Sequence, residues 1–191
     1  QVISSRVLKI CNSAYFGRNV AIDSIDRALI LLGERQILKL MLSSAFEDFF
    51  SKNARGYSLC KGGLFYHAAG TAMICERLAG LTGIIAPDIA YTAGLLHDIG
   101  KVVLDQYTGD AFPFFYRRTQ VEGDELTSVE RDVFGVSHDE VGEMLARRWS
   151  LPDSITDVIR HHHYPENASV CVELVHLVYL ADLIMSRVMV W

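Results

Sequence analysis

Apolar and polar positions along this chain recur with the period of a helix almost throughout. Ile25, Ala28, Leu29 and Leu32 stand at i, i+3, i+4 and i+7, one face of an amphipathic helix, and Gly33 follows where a C-terminal glycine belongs. A second apolar run begins after Glu34 and continues through Leu38, Met41, Leu42 and Ala45 to Phe49. A glycine-bearing stretch over 51–63 interrupts the pattern, and the boundary between two lobes is expected there. From Leu64 a long helix is predicted to about Leu81. Ala86-Pro87-Asp88 starts another, with proline in its first turn. It carries Ala90, Ala93, Gly94 and Leu96 down to His97-Asp98, with Gly100 expected to end it. The aromatic-rich stretch 108–121 fits no single template. Thr127-Ser128-Val129-Glu130 and Ser137-His138-Asp139-Glu140 both have the spacing of a capping box, and the second predicts a helix to about Trp149. Ser150-Leu151-Pro152-Asp153 opens the next helix, which ends near His161-His162-His163, and a last helix is expected over 170–190. No segment joins strand alternation to hairpin turns, and no repeat is present. The class is all-α, a two-lobed multi-helix bundle.

Composition narrows the picture. Half of the 191 residues are apolar, enough for a packed core without covalent staples. The net charge of -5 gives no long-range pull toward nucleic-acid phosphates, so a nucleic-acid partner is not expected. Cys11, Cys60, Cys75 and Cys171 are far apart and form no C-x-x-C, which favours reduced thiols in a cytoplasmic protein. The greasy stretch 170–191 is interrupted by Glu173, His176, Asp182 and Arg187. A spanning helix needs about 20 mostly apolar residues, so a buried helix is expected rather than a membrane span. No signal-peptide pattern opens the chain, and Gln1 falls in what reads as mid-element, so upstream sequence is expected.

The polar residues that do not fit the helical pattern are the chemically interesting ones. His67 falls near the start of a helix, His97-Asp98 at the end of another, and His138 in the first turn of a third. His161, His162 and His163 close a fourth. Asp182 interrupts the last apolar segment between Leu180-Ala181 and Leu183-Ile184, and a carboxylate in that setting needs a partner. Taken singly, each has an ordinary explanation: an internal ion pair for Asp182, a satisfied core histidine, a cationic helix end for the triple histidine. Together they form an imidazole–carboxylate set of the kind that binds zinc, iron, manganese or nickel, built on facing helices of a bundle. His97 and Asp98 are adjacent and cannot share one helical face, so they converge only at a helix end. With two oxygens, Asp98 could bridge two ions. Gly142, one turn after His138, is expected to leave room beside its ring.

The order His67, His97-Asp98, Asp182, spaced by roughly thirty and then roughly eighty residues, resembles the H…HD…D pattern of the HD superfamily of metal-dependent phosphohydrolases. More specifically, the chain is similar to the HDOD family, the HD-related output domains of bacterial signalling proteins. The motifs that carry this are RVLKICNSAYFG (Arg6 to Gly17), SIDRALILLGERQILKL (Ser24 to Leu40), AGLLHDIGKVVL (Ala93 to Leu104), HDEVGEMLARRWSLP (His138 to Pro152), IRHHHYPE (Ile159 to Glu166) and YLADLI (Tyr179 to Ile184). The resemblance implies one HDOD domain over 1–191. Its N-terminal lobe, 1–50, lacks the family's first helices; a connection over 51–63 leads to a metal-binding lobe over 64–191.

The related HD-GYP phosphodiesterases imply roles. Equivalents of His67, His97, Asp98, His138, His162, His163 and Asp182 hold two or more metals there, with His161 an extra by register from Ile159. Lys101 would face substrate phosphate. A two-metal site of this kind hydrolyses phosphoesters, so Asp98 and Lys101 become the candidate catalytic residues and a phosphoester or nucleotide the candidate ligand. The chain also departs from HD-GYP. The D-x-G-x-GYP signature is absent after His163, and Gly63 stands where those enzymes can place a ligand glutamate, so cyclic-di-GMP hydrolysis does not carry over. Three readings follow: a binuclear phosphohydrolase, a non-enzymatic signalling scaffold with a protein partner and a structural or vestigial metal, and histidines that serve packing alone.

Overall fold

The computed structural model describes residues 2–12, 22–51, 57, 62–108 and 111–188. Every regular element among them is helical and none is a strand. No helix of the described residues is long and apolar enough to cross a membrane. The chain forms two compact units, Gln1–Lys52 and Asn53–Trp191.

The first unit holds α1 (Val2–Cys11), α2 (Ile25–Leu32) and α3 (Glu34–Ser51). Ser24 starts α2 by accepting the Arg27 N–H on its hydroxyl, and Gly33 ends it, as the periodicity predicts. Val7, Cys11, Ile22, Ala28 and Ile37 form its small core. Asn12 ties the end of α1 to the approach to α2, with its side chain accepting from the Ile22 N–H and donating to the Ile22 carbonyl, both at 2.7 Å. Ser13 to Gly17 of the front motif, Cys60, most of the connection over 51–63 and the end of the last expected helix lie outside the described residues.

The second unit contains α4 (Gly63–Thr82), α5 (Pro87–Leu96), α6 (Ile99–Thr108), α7 (Phe112–Tyr116), α8 (Leu126–Phe134), α9 (His138–Arg148), α10 (Asp153–His161) and α11 (Val172–Val188). The aromatic stretch that fits no template is α7 running into a π-helical turn, Arg117–Val121. α4 packs on α5 and α11, α9 packs on α6 and α10, and α10 joins the two groups by touching α5 and α11. The α4–α5 contact is built from small residues. A Cβ on Gly94 would lie 2.8 Å from Cys75 Sγ and 2.9 Å from Ala72 Cα, so only glycine lets the backbones approach this closely.

Three expectations are corrected. Gly100 does not end a helix: α5 stops at Leu96, His97-Asp98 form the turn, and Gly100 is the second residue of α6. Its purpose is contact, since a Cβ there would stand 1.9 Å from the His138 carbonyl oxygen and 2.7 Å from the Gly142 nitrogen. Gly142 accordingly faces Gly100 and Ile159 rather than clearing space beside His138. Thr127 is not an N-cap: α8 begins at Leu126, Thr127 lies inside it, and Glu130 turns instead toward His138 and Tyr57. The box at Ser137 does start α9, with the Glu140 carboxylate accepting the Ser137 N–H at 2.9 Å. α11 is anchored from α10, where Asp157 accepts the backbone N–H groups of Val170 at 2.9 Å and of Ser169 and Cys171 at 3.2 Å.

Candidate metal centre

Five segments of the second unit deliver side chains to one place. α4 brings His67 and α11 brings Asp182. The α5–α6 turn brings His97 and Asp98, the first residue of α9 is His138, and His162 and His163 form the turn after α10. Ligand atoms of His67, His97 and Asp98 lie within 4.8 Å of one another, and so do those of Asp98, His138, His162 and His163. Asp98 belongs to both groups. Asp182 joins the first, with Oδ1 2.8 Å from His67 Nε2 and 3.9 Å from His97 Nε2. His161 stays outside, beside Asp157 at 3.8 Å.

The imidazoles are turned by what holds their other nitrogen. His97 Nδ1 lies 2.7 Å from the Gly94 carbonyl and His162 Nδ1 lies 3.0 Å from that of Ile159. A carbonyl only accepts, so each Nδ1 carries the proton and each Nε2 faces the centre. His138 Nδ1 points at the Glu130 carboxylate, 2.7 Å from Oε2, with the same result. Lys101, one helical turn after Asp98, donates its ammonium to Asp98 Oδ2 at 2.6 Å.

Burial and mutual charge set the protonation states. Burial works against ionising Asp98, but His97 and Lys101 outweigh it and hold the carboxylate well below its usual range. Burial opposes charge on His97 too, yet Asp98 raises it. His138 and His163 are pushed well below the ordinary histidine range, first by burial and then by Lys101 and by neighbouring rings respectively. Glu130 is raised to about 7 by burial, against the lowering effect of its Tyr57 and His138 donors.

The residues fit a metal. Among the described residues, His97 Nε2, Asp98 Oδ1 and His162 Nε2 are buried without a hydrogen-bond partner, a costly arrangement unless a cation completes it. His97 Nε2 stands 3.4 Å from Asp98 Oδ2, and His138 and His162 Nε2 each stand 3.4 Å from Oδ1. Two donors about 2.1 Å from one tetrahedral ion stand roughly 3.4 Å apart.

Sequence patterning missed Glu130 as a partner of the centre, because Thr127 to Glu130 has capping-box spacing. A different signal was present: Leu126, Glu130 and Phe134 share one helical face, and an acid on that stripe needs a partner. Asp139 was missed likewise; it is buried and paired with Arg160 across α9 and α10.

An all-α bundle with a buried histidine–aspartate cluster of this order has the architecture of an HD-type domain. The model of the HDOD domain matches residues 1–165, and the chain belongs to that family. A crystal structure of an HDOD domain protein of unknown function from Geobacter sulfurreducens superposes with a TM-score of 0.83 at 34% identity, covering 98% of this chain and 62% of that one. A Shewanella amazonensis protein assigned only provisionally as a phosphohydrolase gives 0.76 at 25% identity, covering 97% and 65%. Ribonuclease Y of Thermus thermophilus is 38% identical over 98 residues, 48% of this chain and 12% of that enzyme. The chain spans less than a third of the length of the curated relatives it matches.

Proposed function

We propose that the second unit is a metal-dependent phosphohydrolase module of a bacterial, cytoplasmic signalling protein, acting on a phosphoester or nucleotide. The observation that carries this is one buried carboxylate, Asp98, shared by two separate donor groups. His67, His97, Asp98 and Asp182 would hold one divalent ion of the zinc, iron, manganese or nickel class, and Asp98, His138, His162 and His163 a second. Two such ions, when bound, supply Lewis-acid activation of water and neutralise phosphoryl charge. The chain's own part is to keep Asp98 ionised, to aim the Nε2 lone pairs, and to keep the Lys101 ammonium beside Asp98 as a point charge for an anion.

Ribonuclease Y, a relative over about half of this chain, is by name an RNA-cleaving enzyme. The net charge of -5 here favours a small phosphoester over RNA, and RNA is one arm of the test. Untagged protein is analysed for metal, then offered generic phosphodiesters, nucleotides, cyclic dinucleotides and RNA, with Asp98→Ala as control. Turnover by wild type and none by the variant supports the proposal. Metal-loaded protein inert to the whole panel sinks it.

One observation favours a non-enzymatic signalling domain with a structural ion and a protein partner. His97, Asp98, His138 and His162 are all 1% exposed or less, and a closed site suits a structural metal. In that case the same panel shows bound metal without turnover.

A further inference from the structure

Glu130 belongs to neither donor group, yet it is fully buried against one of them. α8 ends at Phe134, capped by Gly135, and α9 starts at His138, so a short connection folds Glu130 back under the first residue of α9. Its Oε2 accepts the His138 backbone N–H at 2.8 Å. The His138 Nδ1 lies 2.7 Å from Oε2 and 2.9 Å from Oε1. The Tyr57 hydroxyl donates to Oε1 at 2.6 Å. Tyr57 is itself held, donating its N–H to Asp105 Oδ1 at 2.9 Å and meeting the Phe115 ring edge-on at 5.9 Å.

A cap for α9 needs only the bond to the His138 backbone. The two ring contacts and the Tyr57 hydroxyl are surplus to that role. Their joint effect is on the ring: with Nδ1–H directed into the carboxylate, Nε2 has nowhere to face but Asp98, His162 and His163. His97 and His162 lean on backbone carbonyls instead, which are weaker acceptors and cannot be lost by mutation.

We propose that Glu130, locked by Tyr57, is a positioning residue that fixes His138 as the Nδ1–H tautomer and so sets the affinity of one of the two metal subsites, the one made by Asp98, His138, His162 and His163. This rests on the metal-binding reading above. It makes the two subsites unequal: removing Glu130 weakens one ion and spares the other.

The test uses the full, untagged chain with zinc as the probe. Nitrogen-15 NMR of the metal-free protein reports the His138 tautomer, and chelator competition reports the two zinc affinities. Wild type is expected to show Nδ1–H. Glu130→Gln, whose amide cannot accept from all three donors, is expected to lose that tautomer and to bind one zinc about 10–100-fold more weakly while the other is unchanged. Tyr57→Phe weakens the same ion by less. An Nε2–H tautomer in wild type overturns the proposal, as does a folded Glu130→Gln protein that binds both ions like wild type. Should Glu130→Gln not fold, the wild-type tautomer and Tyr57→Phe decide. Wild-type protein that binds no zinc overturns the metal reading and the positioning role with it, whereas zinc bound equally by all three proteins overturns only the role.

Discussion

The Nε2 atoms of His138 and His163 lie 2.9 Å apart, with their rings nearly perpendicular. His138 has its proton on Nδ1, toward Glu130, so its Nε2 presents a lone pair to His163. Only one proton, or one cation, fits between two such atoms. The pair cannot carry two positive charges, and burial lowers both rings further.

This sets the pH dependence of the metal-free protein. His138 and His163 stay neutral in the fold, whereas the unfolded chain takes up protons near pH 6.5. Stability is therefore complete above about pH 6.5 and is lost as pH falls below it, by up to about 1.4 kcal/mol per pH unit for each group. Glu130, raised to about 7, acts in the opposite sense between the ordinary carboxylate range and that value. The comparison of wild type with His163→Asn isolates the ring. Urea denaturation at pH 7.5 and 5.5 is expected to show a smaller loss in the variant; an equal loss contradicts the assignment.

Asp98 and Asp182 should differ in what their removal does. Asp98 serves both donor groups, whereas Asp182 touches only the first, through His67. Asp98→Asn is expected to bind neither ion, and Asp182→Asn to retain one. Elemental analysis after dialysis gives the stoichiometries directly. Equal losses in the two variants would show that Asp98 is not shared.

Gly100→Ala tests the contact between α6 and α9. The new Cβ would meet backbone, the His138 carbonyl and the Gly142 nitrogen, which cannot swing away as a side chain can. Overpacking of this kind costs about 1–3 kcal/mol. Chemical denaturation should show that loss, and metal affinity should fall with it, because the displaced segment carries His138. A variant as stable as wild type would mean the helices separate freely.

Asp157→Ala tests the anchoring of α11. The carboxylate holds three backbone N–H groups ahead of that helix, and loss of hydrogen bonds to a charged group costs about 1.5–3 kcal/mol. The expected result is lower stability in urea with both metal ligand groups still able to load at saturating zinc.

The helices were legible where one rule governs each locally. The Ile25–Leu32 stripe, Pro87 and the Ser137–Glu140 spacing all mark elements that the structure contains. Legibility failed where a residue answers to a distant partner. Gly100 reads as a terminator because glycine ends helices, but its role depends on α9 lying against it. Glu130 reads as half of a cap because the spacing allows it, yet Tyr57 and His138 claim it.

By itself, the helical period of the apolar positions determined the all-α class, the motifs between Arg6 and Ile184 carried the resemblance to the family, and residue type marked the candidate ligands, because imidazoles and carboxylates set into apolar helices need partners. Tertiary structure alone decided that Asp98 is common to two donor groups, that Lys101 lies on its oxygen, and that a carboxylate stands behind one histidine and carbonyls behind two others. The direction of an imidazole lone pair depends on what its other nitrogen meets. For His138 that partner is eight residues away on another helix, and no local pattern encodes it.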